Sequence, residues 1–352
     1  MKICFVVQDM SLGGAETVVS EILKEWKNPK DELFLISFFN KFDNRYSFLR
    51  HIKNLTVIEL GKTKTIDFIF LKKLKTTIDN IKPDAISSHL TCTFYLKAAG
   101  LTKKYKTFHT IHSEPSKDLP WIYRLFLKDD FKKEKIVLIG CCDYITKKAI
   151  SLYKTKCLTI KNCISIEKSN RPAVSTNYPI KFLYIGRFDS VKNVPLLIHG
   201  FEKAKCKNTI LTLCGFGADE QKIINRVQQS PFKNNIVVVG KENDIEHLYV
   251  ESDVLCLISK REGLPMTILE GINYGLSFLV SDVGGISEYV HNDFNGLFVD
   301  NSSSDDLSKA IKYLAENPQT ISAYKRNSFS LKKSIDSKEM ASEYKKLLYG
   351  KQ

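Results

Sequence analysis

The chain has 352 residues, 43% hydrophobic and 26% charged, ordinary values for a soluble globular protein with room for two domains and two cores. No apolar run approaches the roughly 20 residues that span a bilayer, and the apolar stretch at residues 3–7 is too short for a secretory signal, so a cytoplasmic location is expected. The net charge of +14 favours anionic partners: nucleic acid, an acidic membrane surface or a phosphorylated substrate.

In chain order, short apolar strands are predicted at residues 2–7, 33–38, 56–60, 85–88, 107–111 and 136–139, with helical patterns at 15–26, 67–81, 93–100, 119–131 and 143–151. Such βαβ alternation implies a parallel sheet with helices on both faces. The first strand runs into Gln8-Asp9-Met10-Ser11-Leu12-Gly13-Gly14-Ala15-Glu16. Gly13 and Gly14 at a strand-to-helix turn let backbone approach a phosphate or sugar closely. The plainer reading is a flexible turn with Glu16 as a favourable first-turn acid. The loop is not GxGxxG, and no acid closes a second strand at the dinucleotide spacing, so NAD binding is disfavoured. Thr107-Phe108-His109-Thr110-Ile111-His112-Ser113 alternates. One histidine then faces the sheet's cover, while His112, at the strand end, faces a cleft; a packed or surface histidine fits equally well.

Two stretches of this half mix cations with apolar bulk. One has Lys62, Lys64, Lys72, Lys73 and Lys75 beside Phe68, Ile69, Phe70 and Leu71. The other is Trp121-Ile122-Tyr123-Arg124-Leu125-Phe126-Leu127-Lys128, followed by Phe131-Lys132-Lys133. Basic amphipathic helices lie in membrane interfaces beside anionic lipid, although buried helices also carry one apolar face. The nine cysteines form no CxxC pair, and most, such as Cys4, Cys214 and Cys256, sit in apolar runs as reduced structural thiols.

Periodicity fails over residues 166–179, a polar stretch holding Pro172 and Pro179, which reads as an interdomain linker. Strands then resume at 181–185, 210–214, 236–239, 254–258 and 277–281, each followed by a helix, and from about residue 305 the tail reads as helical. The expected domains are 1–165 and 180–335, with 336–352 as a C-terminal helix packing back on the first. In open α/β sheets ligands bind beyond the carboxyl ends of the strands, so two such domains facing each other would enclose a cleft.

The loops of the second domain carry the chemistry. Gly186-Arg187-Phe188-Asp189-Ser190-Val191-Lys192-Asn193 follows its first strand. Arg187 as a bidentate fork and Lys192 as a point charge would clamp a diphosphate; in so basic a chain the alternative is a pair of solvated charges. Gly215-Phe216-Gly217 and Gly240-Lys241-Glu242 follow the next two strands; the second offers backbone groups to a nucleobase edge, and either fits equally well as a turn needing φ > 0. Next comes Lys260-Arg261-Glu262-Gly263-Leu264-Pro265-Met266-Thr267-Ile268-Leu269-Glu270. It reads as strand, tight loop and helix start, with Glu262 in the loop and Glu270 in the early turns of the helix. Unpaired amides at a helix start suit a phosphate, and a carboxylate accepts hydrogen bonds in pairs, as vicinal hydroxyls require. A sugar nucleotide carries both kinds of group.

Together these elements resemble the GT-B glycosyltransferases of the large retaining family 4 (glycosyl transferases group 1), over nearly the whole chain. The resemblance rests on Gly13-Gly14-Ala15-Glu16, His112, Tyr184-Ile185-Gly186-Arg187 with Lys192-Asn193, and the Glu262 and Glu270 pair. Ser281-Asp282-Val283-Gly284-Gly285 with Glu288, and Asn295-Gly296-Leu297, complete it. It implies an α/β GT-B fold of two facing Rossmann-like, doubly wound domains, the second binding a nucleotide-sugar donor and the first an acceptor. Arg187 and Lys192 would neutralise the diphosphate, and Glu270 would hold the ribose hydroxyls. Glu262 would lie by the donor sugar, with the backbone amides of Gly263, Leu264, Met266 and Thr267 around Pro265 on sugar and phosphate. Gly13 and Gly14 would close over the diphosphate, His112 would touch the donor sugar, the Lys241 loop would read the base, and Gly215 would belong to the donor site. No metal and no cofactor is implied; positive side chains and helix dipoles stabilise the departing diphosphate instead. A covalent role for Glu262 and a same-face attack within an ion pair both stay open. One departure is Asn162-Cys163 where many members have Asn-Gly before the linker.

The expected activity is retaining transfer from a nucleotide sugar, with the Glu-Gly-Leu-Pro form leaning to UDP over GDP-mannose. The expected acceptor is a glycan or a polyprenyl-diphosphate-linked glycan of bacterial surface polysaccharide or lipopolysaccharide synthesis, with an anionic membrane surface as a further partner. A sugar-nucleotide epimerase of the same fold is the rival among enzymes. A basic nucleic-acid-binding protein is the rival outside them, but no RNP, zinc or helix-turn-helix signature supports it, so no nucleic acid is expected.

Overall fold

The computed structural model describes residues 1–63, 67–166, 179–242 and 244–350. The chain divides into two compact units, Met1–Ser165 with Asp336–Gln352, and Ile166–Ile335. Nearly all of the expected linker, residues 167–178, lies outside the described residues, as does Lys64.

The first unit is built on seven strands: β1 (Lys2–Val7), β2 (Glu32–Ser37), β3 (Leu55–Glu59), β4 (Ala85–His89), β5 (Lys106–Ile111), β6 (Ile136–Gly140) and β7 (Cys157–Thr159). They pair in parallel in the order β3-β2-β1-β4-β5-β6-β7. Ile3 to Val7 are all buried, because helices cover both faces of a parallel sheet. On one face Cys4, Val6, Ile36, Phe38 and Ile86 share a core with Phe70, Leu74 and Leu96 of the covering helices. On the other, Phe5 meets the edge of Trp26. The helix Ser337–Leu348 packs there against the helix Gly14–Lys24. Asp31 fastens this end of the chain: it accepts from the Trp26 indole at 2.8 Å, the N-terminal amine at 2.9 Å and the Tyr349 hydroxyl.

Several local expectations are revised. The helix predicted at 119–131 runs from Trp121 to Lys132, and a short unpredicted helix, Pro115–Asp118, precedes it; the two stay separate because the residue before Pro120 is pushed out of the helical region, Leu119 being extended at φ −122° and ψ 142°. The 3₁₀ helix Asn44–His51 and β7 carry no legible pattern. Cys163, at the position where the resemblance expects glycine, is buried, and burial pushes its thiol up to about 12.

The second unit has six parallel strands: β8 (Ile180–Ile185), β9 (Thr209–Cys214), β10 (Ile236–Gly240), β11 (Val254–Leu257), β12 (Ser277–Val280) and β13 (Gly296–Phe298). Their order is β10-β9-β8-β11-β12-β13. β13, three residues long, is absent from the sequence reading. In each unit the chain steps outward from one central strand and then returns to its other side, so the strand order reverses between β1 and β4 and between β8 and β11. Crevices at such reversals are where open α/β sheets hold ligands. Among the described residues no helix is long and apolar enough to cross a membrane.

Candidate functional site

In the second unit, the loops after β8 and β11 flank the reversal. After β8, Asp189 Oδ1 accepts from the amides of Val191 (3.0 Å) and Lys192 (3.2 Å), turning the chain back. Asn193 then takes a left-handed conformation at φ 55°, which asparagine tolerates better than most residues, and the helix Val194–Ala204 begins. The Lys260 amide bonds Val191 O at 2.8 Å, tying the β11 loop to this turn. As a result Lys192 Nζ stands 2.6 Å from Glu262 Oε1, with both side chains largely buried.

Glu262 and Glu270 are held separately. The loop carrying Glu262 and Gly263 rests on Gly284: an added Cβ there would stand 2.5 Å from both of their carbonyl oxygens. Gly285 N also bonds Gly263 O at 2.6 Å. Pro265 precedes the helix Met266–Asn273, and helix geometry leaves the amides of its first turn without intrahelical acceptors. Gly271 lets this helix lie close to the sheet, since a Cβ there would meet Phe278 at 2.8 Å and Leu255 at 2.9 Å. One turn in, Glu270 Oε2 accepts from the Tyr249 hydroxyl. Burial pushes the Tyr249 phenol well above its usual range, and the Glu270 carboxylate adds to that. The phenol therefore remains a donor, and its ring stacks on Tyr274 with centroids 5.3 Å apart.

The remaining residues of this unit fall into two groups. Gly215 sits against the β8 loop, its amide bonded to Gly240 O at 2.9 Å, and Lys241 Nζ lies 5.7 Å from the Phe216 ring centroid. The loops after β9 and β10 thus meet. Arg187 has a different carboxylate partner from Lys192: its guanidinium pairs with Asp189 at 3.2 Å and its side chain is 65% exposed.

The first unit brings a different set together at its own reversal. Gln8 Nε2 reaches Thr91 Oγ1 at 2.5 Å, joining the loops after β1 and β4. Glu16 folds back over Gly13, its carboxylate filling the place a Cβ would take, and Gly14 opens the following helix. At the end of β5, His112 is fixed by its neighbours. Its amide donates to Asp118 Oδ1 at 3.0 Å, and its Nε2 lies 2.8 Å from His89 Nδ1. His89 Nε2 in turn lies 3.1 Å from Ser87 Oγ. Among the described residues, His112 Nδ1 is buried without a hydrogen-bond partner. Burial pushes the His112 imidazole down to about 4, against the pull of Asp118, and holds His89 well below its usual range. The two rings share one proton between them, so whether His112 Nδ1 donates or accepts is set by His89. His109 is packed inside, its Nε2 3.1 Å from Asp118 Oδ2 and its Nδ1 2.7 Å from Thr93 Oγ1.

Sequence reasoning missed His89, Asp118 and Tyr249. His89 ends a short apolar strand and carries a signal only once β4 and β5 are known to be neighbours. The other two sit on short helices of four and five residues, too brief to show a period.

Residues 165–330 match the family Glycosyl transferases group 1. The lipopolysaccharide 1,6-galactosyltransferase of Escherichia coli K12 is 26% identical over 319 residues, covering 84% of each chain. An uncharacterized glycosyltransferase of Haemophilus influenzae is 25% identical, but the match spans only 53% of this chain and 55% of that one. Among solved structures, Anabaena Alr3699/HepE in complex with UDP-glucose shares the fold with a TM-score of 0.83 at 17% identity, covering 99% of this chain and 100% of that one.

Proposed function

This chain is a glycosyltransferase of the GT-B fold and of the glycosyl transferases group 1 family, and from that premise we propose that it is a retaining, family 4 enzyme. Its donor would be a UDP-sugar and its acceptor a lipid-linked or lipopolysaccharide glycan, with transfer in the cytoplasm at the inner face of the membrane. The galactosyltransferase relative, named for lipopolysaccharide, supports the acceptor class. The UDP-glucose complex of the structural neighbour supports the donor.

The observation that carries the reading is the pairing at the β8/β11 reversal. Lys192 is aimed at Glu262, and Tyr249 at Glu270, beside the open amides of a helix start. Tyr249 donates to Glu270 and so fixes the orientation of the carboxylate that takes the two ribose hydroxyls. Lys192 and the first-turn amides of Met266 and Thr267 take the diphosphate, and their charge stabilises it as it leaves. Arg187, exposed and paired with Asp189, swings onto the diphosphate when donor arrives. The Lys241 and Gly215 loops flank the base. Glu262 and the Gly263 to Pro265 turn hold the donor sugar. The lysine contact draws charge from Glu262, which suits holding hydroxyls better than nucleophilic attack and favours same-face attack within an ion pair. In the first unit, taken by itself, Gly13 and Gly14 offer amides to a phosphate and His112 Nδ1 a position for a hydroxyl.

The test supplies UDP- and GDP-sugars one at a time with lipid-linked glycans. Mass spectrometry reads the added sugar and NMR the new anomeric linkage. Transfer from a UDP-sugar with the donor's configuration kept is the expected result. An inverted linkage, transfer from GDP-sugars alone, or isomerised donor without acceptor would each overturn the reading.

A further inference from the structure

Two helices of the first unit begin with bare apolar side chains. Phe68 and Ile69, opening Phe68–Ile81, are 79% and 83% exposed; Trp121, Ile122 and Leu125, opening Trp121–Lys132, are 66%, 56% and 63% exposed. Single exposed apolar residues are ordinary, but a cluster of large ones marks a contact surface. Each helix leaves a strand of the parallel sheet and crosses to the next, so both start at the carboxyl edge of that sheet. The helix Cys92–Ala98 lies between them and joins them through rings: Tyr95 meets Phe70 with centroids 5.8 Å apart, and Phe94 stacks on Tyr123 at 3.7 Å. The exposed side chains thus stand on a packed aromatic support.

Further along each helix the same exposed face gathers lysines, with Asp129 the one exposed acid on the two helices. Lys72 lies four residues beyond Phe68, Lys128 seven beyond Trp121, and Lys132 seven beyond Leu125, spacings that return to one face. All three are exposed. None has an acidic partner among the described residues, unlike Lys75 with Asp79 and Lys97 with Asp130. At 1.5 Å per residue these ammonium groups branch roughly 6–10 Å behind the apolar tips. That matches the roughly 5–10 Å over which a bilayer interface passes from acyl carbon to headgroup. Lys62, counted with this segment in the sequence, is not part of the face. It is buried over the rings of Phe39, Phe70 and Tyr95, and burial lowers its ionisation.

We propose that these two helix starts dock the first unit on an anionic membrane surface. Phe68, Ile69, Trp121, Ile122 and Leu125 enter the acyl boundary, and Lys72, Lys128 and Lys132 meet lipid phosphates. A second copy of the chain is the poorer occupant, since it would set lysines against lysines in a protein of net charge +14. Docked this way, the sheet edge that carries His112 lies at the membrane, where a lipid-linked acceptor presents its headgroup.

The test uses the full chain with phosphatidylcholine vesicles and with mixtures containing phosphatidylglycerol, without donor or acceptor, so its outcome is independent of the transfer reading. Flotation is expected with the anionic vesicles and not with the neutral ones. Trp121 reports directly, because the only other tryptophan, Trp26, is buried; its emission should shift to the blue on binding. Replacing Lys72, Lys128 and Lys132 by Gln should weaken partitioning by about a hundredfold, at roughly fivefold per lysine. Replacing Phe68, Trp121 and Leu125 by Ser should abolish flotation without changing the far-ultraviolet circular dichroism. The proposal is overturned by no flotation of the folded chain, by binding that leaves Trp121 emission unmoved, or by a dimer that the Ser substitutions dissociate.

Discussion

Gly284 has a φ of +66°, and a methyl group on its Cα would stand 2.5 Å from the carbonyl oxygens of Glu262 and Gly263. Gly284→Ala therefore carries two costs. A left-handed alanine is disfavoured by about 1–2 kcal/mol. Overpacking against fixed atoms adds about 1–3 kcal/mol, because the obstruction is backbone and cannot rotate away. The expected destabilisation is about 2–5 kcal/mol. Gly240→Ala is the matched control in the same unit: its φ is +72°, but the nearest atom to its Cβ is Glu220 Oε1 at 3.8 Å, so it bears only the first cost. Both tryptophans lie in the first unit, so urea unfolding should be followed by far-ultraviolet circular dichroism. Relief of the clash moves Glu262 and Gly263 by about half an ångström or more, and UDP affinity should fall about tenfold in Gly284→Ala, since small misplacements of binding groups are costly. Equal stability losses in the two variants, with UDP affinity unchanged, would refute the idea that Gly284 is a rigid seat for the Glu262 loop.

The other predictions concern charge. Lys192→Met should destabilise the second unit by about 2 kcal/mol or more by leaving Glu262 largely buried and unpaired, and adding Glu262→Gln should recover much of it. A double-mutant cycle reads the pair, and a coupling below about 0.5 kcal/mol would show that the 2.6 Å contact is not an energetic one. Tyr249→Phe removes a hydrogen bond to a carboxylate and should cost about 1.5–3 kcal/mol; unchanged denaturant midpoints would count against the orienting role. His112 is neutral in the folded protein down to about 4, while an unfolded histidine protonates near 6.5. Between those values the unfolded state binds the extra proton, so stability is complete above about pH 6.5 and falls as the pH is lowered, by about 2 kcal/mol at about pH 5. In His112→Gln that part of the pH dependence should vanish; if it persists unchanged, the buried neutral ring is not its source.

The fold was legible because its signals are local: apolar runs of strand length alternating with helical periods predict two successive parallel sheets. The elements that escaped were those with too little chain to show a period, such as β7, β13 and the helix Pro115–Asp118. The candidate site was legible as loops and not as pairings. Gly186 to Asn193 and Glu262 to Glu270 could be singled out by glycine, charge and strand ends. That Lys192 meets Glu262, seventy residues on, depends on the adjacency of β8 and β11. The same holds for His89 and His112, which meet because β4 and β5 are neighbours. The burial of Lys62 is a third case: beside lysines it reads as solvated, and only the packing of Phe39, Phe70 and Tyr95 around it shows otherwise.

The central claim is that Glu270, Lys192 and the helix start Met266–Asn273 form a uridine diphosphate site, and calorimetric titration of UDP and GDP into the native chain and Glu270→Ala tests it most directly. UDP should bind the native protein, and the variant, folded by circular dichroism, should bind it at least tenfold more weakly for the loss of hydrogen bonds to a charged acceptor. No heat from either nucleotide with the folded native chain, or the same affinity in the variant, would contradict the account.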